Sequence, residues 1–307
     1  MYRLPSARSL AHRVGLPVVV IALVAACGGG AASPSAAPPR PAPEDPTPVI
    51  PTPSPIAAGT YWLRMTTFQA IPPVNLFAFT PTVVIDGSGQ LIVPGAVPAI
   101  FPGPLVMPLF SRQVSEAGRT TILGWAKDLG LLSGKTDFTG GGGLPGGVTG
   151  QIELTVDGTL IALNGLPDLT APSPEPGSPE AFGELWRRIA SLSEGLPGEL
   201  GAEAPYVPTA YALLVGPAPD PQGMPAAIAD WPLDVAIGDF GGPVDGGAFR
   251  CGIAEGKDAA ALGAAFAKAT QITQWTQDPT TSATFGLTVR PIIAGENPCA
   301  EVFGLGG

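Results

Sequence analysis

The sequence predicts an α+β fold with mainly antiparallel sheet and about three packing helices. Two hairpin patterns, Thr82–Val93 and Gln151–Leu163, place β-rich arms around turns that contain Asp-Gly. Three amphipathic segments carry apolar residues at helical spacing. Strands and helices occur in groups and do not alternate as βαβ units, which favours antiparallel pairing.

The first half of the domain is predicted to contain strands, then one helix, then further strands. Asp157-Gly158 is the predicted type I′ turn of the second hairpin, because this pair tolerates positive φ angles. Between the hairpins, Ser115 is the predicted N-cap of a helix that ends at Gly130. The apolar face of that helix consists of Ile122, Trp125, Ala126 and Leu129.

The second half begins after a proline-rich break and contains two more helices. Ser178 is the predicted N-cap of the first one, and Pro179 is its first residue. Its apolar face consists of Phe182, Leu185, Trp186, Ile189 and Leu192. The other helix covers Lys257–Thr270, with Leu262, Ala265, Phe266 and Ala269 on one side. The predicted strands are Thr209–Gly216, Phe249–Ala254 and Ala283–Ile293.

Residues 1–26 are typical of a signal peptide. Arg3, Arg8 and Arg13 give a positive start without any acidic residue, and the uncharged, mostly apolar segment Val14–Ala26 follows. This segment is too short for a permanent membrane span, which needs roughly 20 residues. We therefore expect export followed by cleavage.

The end of this segment, Leu23–Cys27, resembles the lipobox of bacterial lipoproteins. The resemblance implies that Cys27 receives a diacylglycerol, that cleavage occurs before it, and that it becomes the new N-terminus. Several acyl chains hold a protein on a membrane stably, because each buried methylene contributes about 0.8 kcal/mol. An ordinary signal peptide with an incidental cysteine is the alternative.

Residues 27–57 continue from this cysteine into a segment rich in proline and alanine. It has almost no large apolar side chains, so it cannot bury enough surface to order itself. Its prolines favour an extended stalk. Residues 58–307 remain as an α+β domain outside the cytoplasm, either undivided or split near 167–205 into two subdomains of similar size.

The charge of the chain limits its partners. Without the three arginines of the signal, the chain has 12 basic and 25 acidic side chains, which gives a formal charge of −13. Nucleic-acid binding depends chiefly on Lys and Arg at phosphates, so we expect no nucleic-acid partner. The same charge opposes electrostatic docking on anionic lipid.

Two cysteines remain when Cys27 is lipidated, and an even pair in an exported chain predicts a disulfide. The pair is Cys251 and Cys299. Closing a loop of this length contributes roughly 4 kcal/mol on the chain-entropy account. A redox-active dithiol is the alternative, although it normally needs the tight Cys-x-x-Cys spacing.

The last hundred residues or so resemble the C-terminal part of exported proteins of unassigned function in high-GC bacteria. The segments that carry this resemblance are Asp230–Pro243, Arg250–Trp275 and Leu287–Cys299. The resemblance implies a shared fold and no activity.

The mature chain lacks the usual side chains of catalytic and metal sites. Its only histidine, His12, lies in the signal, which excludes Ser-His-Asp and Cys-His catalysis in the mature protein. We predict no catalytic residue, no metal site and no cofactor. A hydrolase would need two facing carboxylates from Glu153, Asp157, Asp234, Asp239 and Asp245. The simpler interpretation places Asp157 in a turn and Glu153 on the wet face of a strand.

Two tryptophans, Trp231 and Trp275, lie outside the predicted helix faces and are candidate ligand-binding residues, since sugars stack on aromatic rings. Core packing is the alternative. The leading hypothesis is a non-enzymatic binding module of the cell envelope, held by its lipid on the outer side of a cell membrane, with a protein or glycan partner. The alternative is a carboxylate-based hydrolase or a receptor for a small ligand or glycan.

Overall fold

Two mainly antiparallel sheets form the framework of the described residues, which are 61–305 without 70, 98, 141–147, 226 and 278–282 of a computed structural model. The signal segment, Cys27 and the stalk lie outside the described residues. The predicted α+β class is confirmed, although the sheets are large.

The first sheet contains eight strands among the described residues, in the order β5-β7-β6-β1-β2-β3-β4-β8. Only the β5–β7 pair is parallel there. The strands are β1 Tyr61–Phe68, β2 Val83–Asp86, β3 Gln90–Pro94, β4 Leu109–Gln113, β5 Asp137–Phe138, β6 Thr149–Val156, β7 Thr159–Gly165 and β8 Ala204–Pro205.

The second sheet contains six strands within the described part of the chain, in the order β10-β13-β14-β9-β12-β11, with β10 and β13 parallel. These strands are β9 Ala210–Pro217, β10 Ile228–Asp230, β11 Gly242–Val244, β12 Phe249–Glu255, β13 Gln274–Thr276 and β14 Phe285–Pro291. The chain therefore passes from one sheet to the other between Pro205 and Ala210, and the described residues of both sheets belong to one compact unit.

Three helices have more than six residues among those described, as predicted: α2 Glu116–Asp128, α3 Pro179–Ala190 and α5 Gly256–Phe266. The Ser115 side chain accepts a hydrogen bond from Gly118 N, and Ser178 accepts one from Ala181 N, so both predicted N-caps are confirmed. Helix α5 ends four residues earlier than expected. The shorter helices are α1 Pro73–Leu76, α4 Leu192–Gly195 and α6 Pro298–Phe303.

Both predicted hairpins form. Asp157 and Gly158 have φ angles of 49° and 76°, as a type I′ turn requires. In the other hairpin, β2 pairs with β3, and the Asp86 carboxylate accepts hydrogen bonds from the backbone N–H groups of Ser88 and Gln90.

Packing follows the alternation of side chains along the strands. One face of the first sheet, with Leu63, Met65 and Ile152, packs on α2 and α3. One face of the second sheet, with Leu213, packs on α5. The opposite faces carry smaller apolar clusters that join Ala212 to Phe77 and Cys299, and Val84 and Ile92 to Ile293.

The second sheet is cross-linked to the C-terminal helix. Cys251 on β12 and Cys299 on α6 form a disulfide with Cα atoms 5.7 Å apart, in agreement with the prediction. No helix in the described ranges is both long and apolar enough to cross a lipid bilayer.

Candidate functional site

The strongest concentration of buried charge starts on two neighbouring strands. Arg64 of β1 lies directly opposite Glu153 of β6. Its Nε donates to Glu153 Oε2 over 2.5 Å, and the Tyr61 hydroxyl donates to the other carboxylate oxygen over 3.0 Å. The Arg64 guanidinium also lies 4.7 Å from the centre of the Tyr61 ring. Glu153 therefore has a partner for each oxygen.

The second sheet contributes another ion pair to the same place. Arg290, near the end of β14, donates to Glu296 Oε1 over 2.8 Å, and the side chains are 6% and 1% exposed. Arg64 Nη1 lies 3.8 Å from the same Glu296 oxygen. One carboxylate thus connects a guanidinium from each sheet. We call Tyr61, Arg64, Glu153, Arg290, Glu296 and Glu301 the Arg64 cluster.

Glu301 of α6 is the member of the cluster that water reaches most easily. Its Oε1 lies 3.5 Å from Arg64 Nη1, and its side chain is 42% exposed. A cavity of about 180 Å³ opens beside it, and Phe68, Leu76 and Phe79 form its apolar wall. With two arginines and three glutamates, the cluster has a formal charge of −1.

Burial shifts the pKa values of two cluster members. It raises the pKa of the Glu296 carboxyl above its usual range, although the positive charges of Arg290 and Arg64 oppose this shift. It also raises the pKa of the Tyr61 phenol to about 12. Glu153 and Glu296 are both bound to guanidinium groups, which favours a structural role for these carboxylates.

The position of Glu153 corrects one expectation from the sequence. Glu153 does not point from a wet face; it is 8% exposed, because Tyr61 and Arg64 cover it. Asp157 makes the predicted turn in the first sheet, whereas Asp239 and Asp245 lie in 3₁₀ turns beside the second sheet. Glu153 and Asp157 thus belong to the first sheet, Asp239 and Asp245 lie beside the second, and Asp234 is exposed between β10 and β11.

The two candidate tryptophans are part of the apolar core of the second sheet. Trp231 is 5% exposed and Trp275 is fully buried. Trp231 Nε1 donates to the Val235 carbonyl, and its ring meets Phe240 edge to face. The Trp275 ring packs edge to face on Phe266. These contacts favour the packing interpretation, since neither ring offers an open face on which a sugar could stack.

A second surface feature consists of exposed apolar side chains from two segments without charged residues, 65–85 and 87–111. The residues are between 38% and 68% exposed. We call them the apolar patch: Phe68, Phe79, Val97, Ile100, Phe101 and Met107.

Four members of the patch line two cavities, and the other two lie on the loop that joins two of these four. Phe68 and Phe79 line the cavity beside the Arg64 cluster. Ala78, the residue before Phe79, lines a neighbouring cavity of about 380 Å³ together with Val97 and Met107. Ile100 and Phe101 lie on the loop between these last two residues. The patch therefore extends from the end of β1 to the loop between β3 and β4.

Sequence reasoning missed both features. The Arg64 cluster needs contacts between residues more than 200 positions apart, such as Arg64 and Glu296, which no local pattern predicts. The apolar patch does have a signal in the sequence, because the two segments on either side of Asp86 contain no charged residue. Within the described ranges, no group of three or more His, Cys, Asp or Glu side chains could hold a metal ion.

Comparison of the chain with protein-family models, with curated proteins and with solved structures finds no match, so any account of function rests on the residues themselves.

Proposed function

We propose that the protein is a lipid-anchored, non-enzymatic binding module of the cell envelope, attached to the outer side of a membrane through Cys27. The anchoring part rests on the arginines, the apolar segment and the lipobox-like residues before Cys27. The stalk at residues 28–57 would give the domain a reach of up to roughly 90 Å from the membrane.

The apolar patch is the observation that carries the binding role. Several large apolar side chains exposed on neighbouring segments mark an interaction site more often than singly scattered ones do. The pairing of Glu153 and Glu296 with arginines supports a structural use of these carboxylates, and it is why we favour binding over hydrolysis.

Cell fractionation tests the anchor. Wild-type protein should enter the detergent phase, whereas Cys27→Ser should stay in the aqueous phase or remain as an uncleaved precursor. Ser33→Ala, six residues further along, is the matched control and should behave as wild type. Equal entry of processed Cys27→Ser protein into the detergent phase would contradict the anchor.

A receptor for a small ligand is the second candidate, and the cavity beside the Arg64 cluster favours it. Its base carries charge from Arg64 and Glu301, and its wall is apolar, which is the composition of many small-ligand sites. A thermal-shift screen with glycans and peptidoglycan fragments tests this candidate. A ligand at 100 times its Kd should add about 2.7 kcal/mol to the free energy of unfolding. Glu301→Gln should abolish a shift that arises in this cavity, and an unchanged shift in that variant would exclude the cavity.

A further inference from the structure

The most exposed part of the apolar patch is the tip of the loop between β3 and β4. Ile100 is 68% exposed and Phe101 is 53% exposed. The base of this loop is fixed: Gly95 N donates to the Pro108 carbonyl over 2.7 Å, and Leu105 N donates to the Ala269 carbonyl over 3.1 Å. Backbone hydrogen bonds therefore hold the base of the loop in place, while its tip is exposed to solvent.

The composition of the patch suits contact with a bilayer. Segments 65–85 and 87–111 contain no charged side chain that would have to be desolvated there. The large apolar side chains exposed on these segments are Phe, Ile, Val and Met. Transfer of such side chains from water into the boundary between lipid headgroups and acyl chains is favourable.

The length of the chain before the domain places a bilayer within reach. Thirty-three residues separate Cys27 from Tyr61. In extended polyproline form they span up to about 100 Å, at 3.1 Å per residue. Strand β1 adds about 23 Å between Tyr61 and the Phe68 end of the patch. The domain can therefore turn the patch towards the membrane that holds Cys27, and tethering raises the effective concentration of the contact.

We propose that the apolar patch inserts into the interfacial region of the same bilayer that holds the lipid on Cys27. This inference rests on the proposed function, since the anchor supplies the membrane. The mature charge of −13 gives no attraction to anionic lipid, so the contact is apolar and needs neither anionic headgroups nor low salt.

Flotation with vesicles of pure phosphatidylcholine tests the contact without the anchor. The sample is the processed chain, residues 27–307, with Cys27→Ser, so that no acyl chain contributes. At about 1 mM lipid, a partition constant on the order of 10⁴ M⁻¹, similar to that of one myristoyl chain, would float most of the protein. We expect more than half to float, equally at low and at high salt.

Two double variants locate the contact. Ile100→Asp with Phe101→Asp should lower the partition constant at least tenfold. Val207→Asp with Ile228→Asp is the control, because these side chains are 65% and 64% exposed but lie outside the patch, and it should float as the parent does. Thermal melting of all samples checks that each is folded.

Three outcomes would overturn the proposal. The parent chain stays out of the floating fraction, or the Ile100/Phe101 variant floats as well as the parent, or flotation requires anionic lipid. Sedimentation velocity adds a fourth: a dimer that the Ile100/Phe101 variant abolishes would mean that a second copy covers the patch. Because Cys27 is absent from the sample, failure here leaves the anchor intact, and failure of the fractionation test leaves this result intact.

Discussion

At the scale of single residues, the Arg64 cluster makes the sharpest stability prediction. Arg64 faces Glu153 and Glu296, whose side chains are 10% and 1% exposed. Arg64→Ala leaves both carboxylates with less compensation, and removing one partner of a buried ion pair costs about 3–5 kcal/mol. Urea denaturation should show this loss. Arg112→Ala is the control, since its half-exposed partner Glu203 predicts a loss of about 0–1 kcal/mol. Equal losses in the two variants would contradict the role of the cluster.

Glu296 makes a prediction about pH. Burial raises its pKa in the folded state, so the folded chain binds more protons than the unfolded chain just above the usual carboxyl range. This group therefore stabilises the fold most at acid pH, and its contribution falls as pH rises through that range. Denaturation midpoints at several pH values should show a shallower fall in Glu296→Gln than in wild type. If Glu296→Gln had the same pH dependence as wild type, the effect would not arise at Glu296.

Local chemistry at single residues was predictable, and burial of charge was not. Ser115, Ser178 and the Asp157 turn act through neighbours within three positions, so their roles can be inferred from short patterns. The alternation of Ile152, Glu153 and Leu154 does put Glu153 on the opposite face of its strand. Whether that face meets water depends on Arg64, 89 positions away.

At the scale of elements, two glycines inside helices make opposite predictions. A Cβ at Gly183 of α3 would collide with the carbonyl oxygen of Leu169, so Gly183→Ala should force the helix away from the segment that follows β7 and destabilise the protein. A Cβ at Gly124 of α2 meets no atom within 4 Å. Gly124→Ala should therefore raise stability by about 0.5–1 kcal/mol, because alanine loses less backbone entropy. Thermal melting of both variants checks this; a stable Gly183→Ala protein would contradict the close packing of α3.

Prediction of elements succeeded where periodicity was strong. The three longer helices and both hairpins form close to their predicted positions. The end of α5 was wrong, because Ala269 is buried beyond the helix and so continued the apolar pattern. The central strand β1 was missed, although apolar Leu63 and Met65 alternate with polar Arg64 and Thr66, because this alternation is short.

At the scale of the whole molecule, the disulfide connects the second sheet to the C-terminal helix. Cys251 and Cys299 are 48 positions apart. Replacing both by alanine should lower the free energy of unfolding by roughly 4 kcal/mol on the chain-entropy account. Calorimetry of this variant, with and without reductant, measures the loss. Reductant should then lower the Tm of wild type and leave that of the variant unchanged. If full reduction left the Tm of wild type unchanged, this would contradict the contribution of the disulfide to stability.

The sequence could not reveal how the two sheets contact each other. That arrangement depends on Arg64 meeting Glu296 and on Val84 and Ile92 meeting Ile293, all pairs far apart in the chain. The apolar patch arises at the same scale, because segments 65–85 and 87–111 become one surface only when the strands between them pair. The proposed anchor, in contrast, depends only on contiguous residues, and it stays a prediction.

Intact-mass and peptide mass spectrometry of protein extracted from membranes tests the central claim most directly. The account predicts that the first residue is Cys27 and that it carries the mass of a diacylglycerol. An unmodified N-terminus, or cleavage at any other residue, would contradict it.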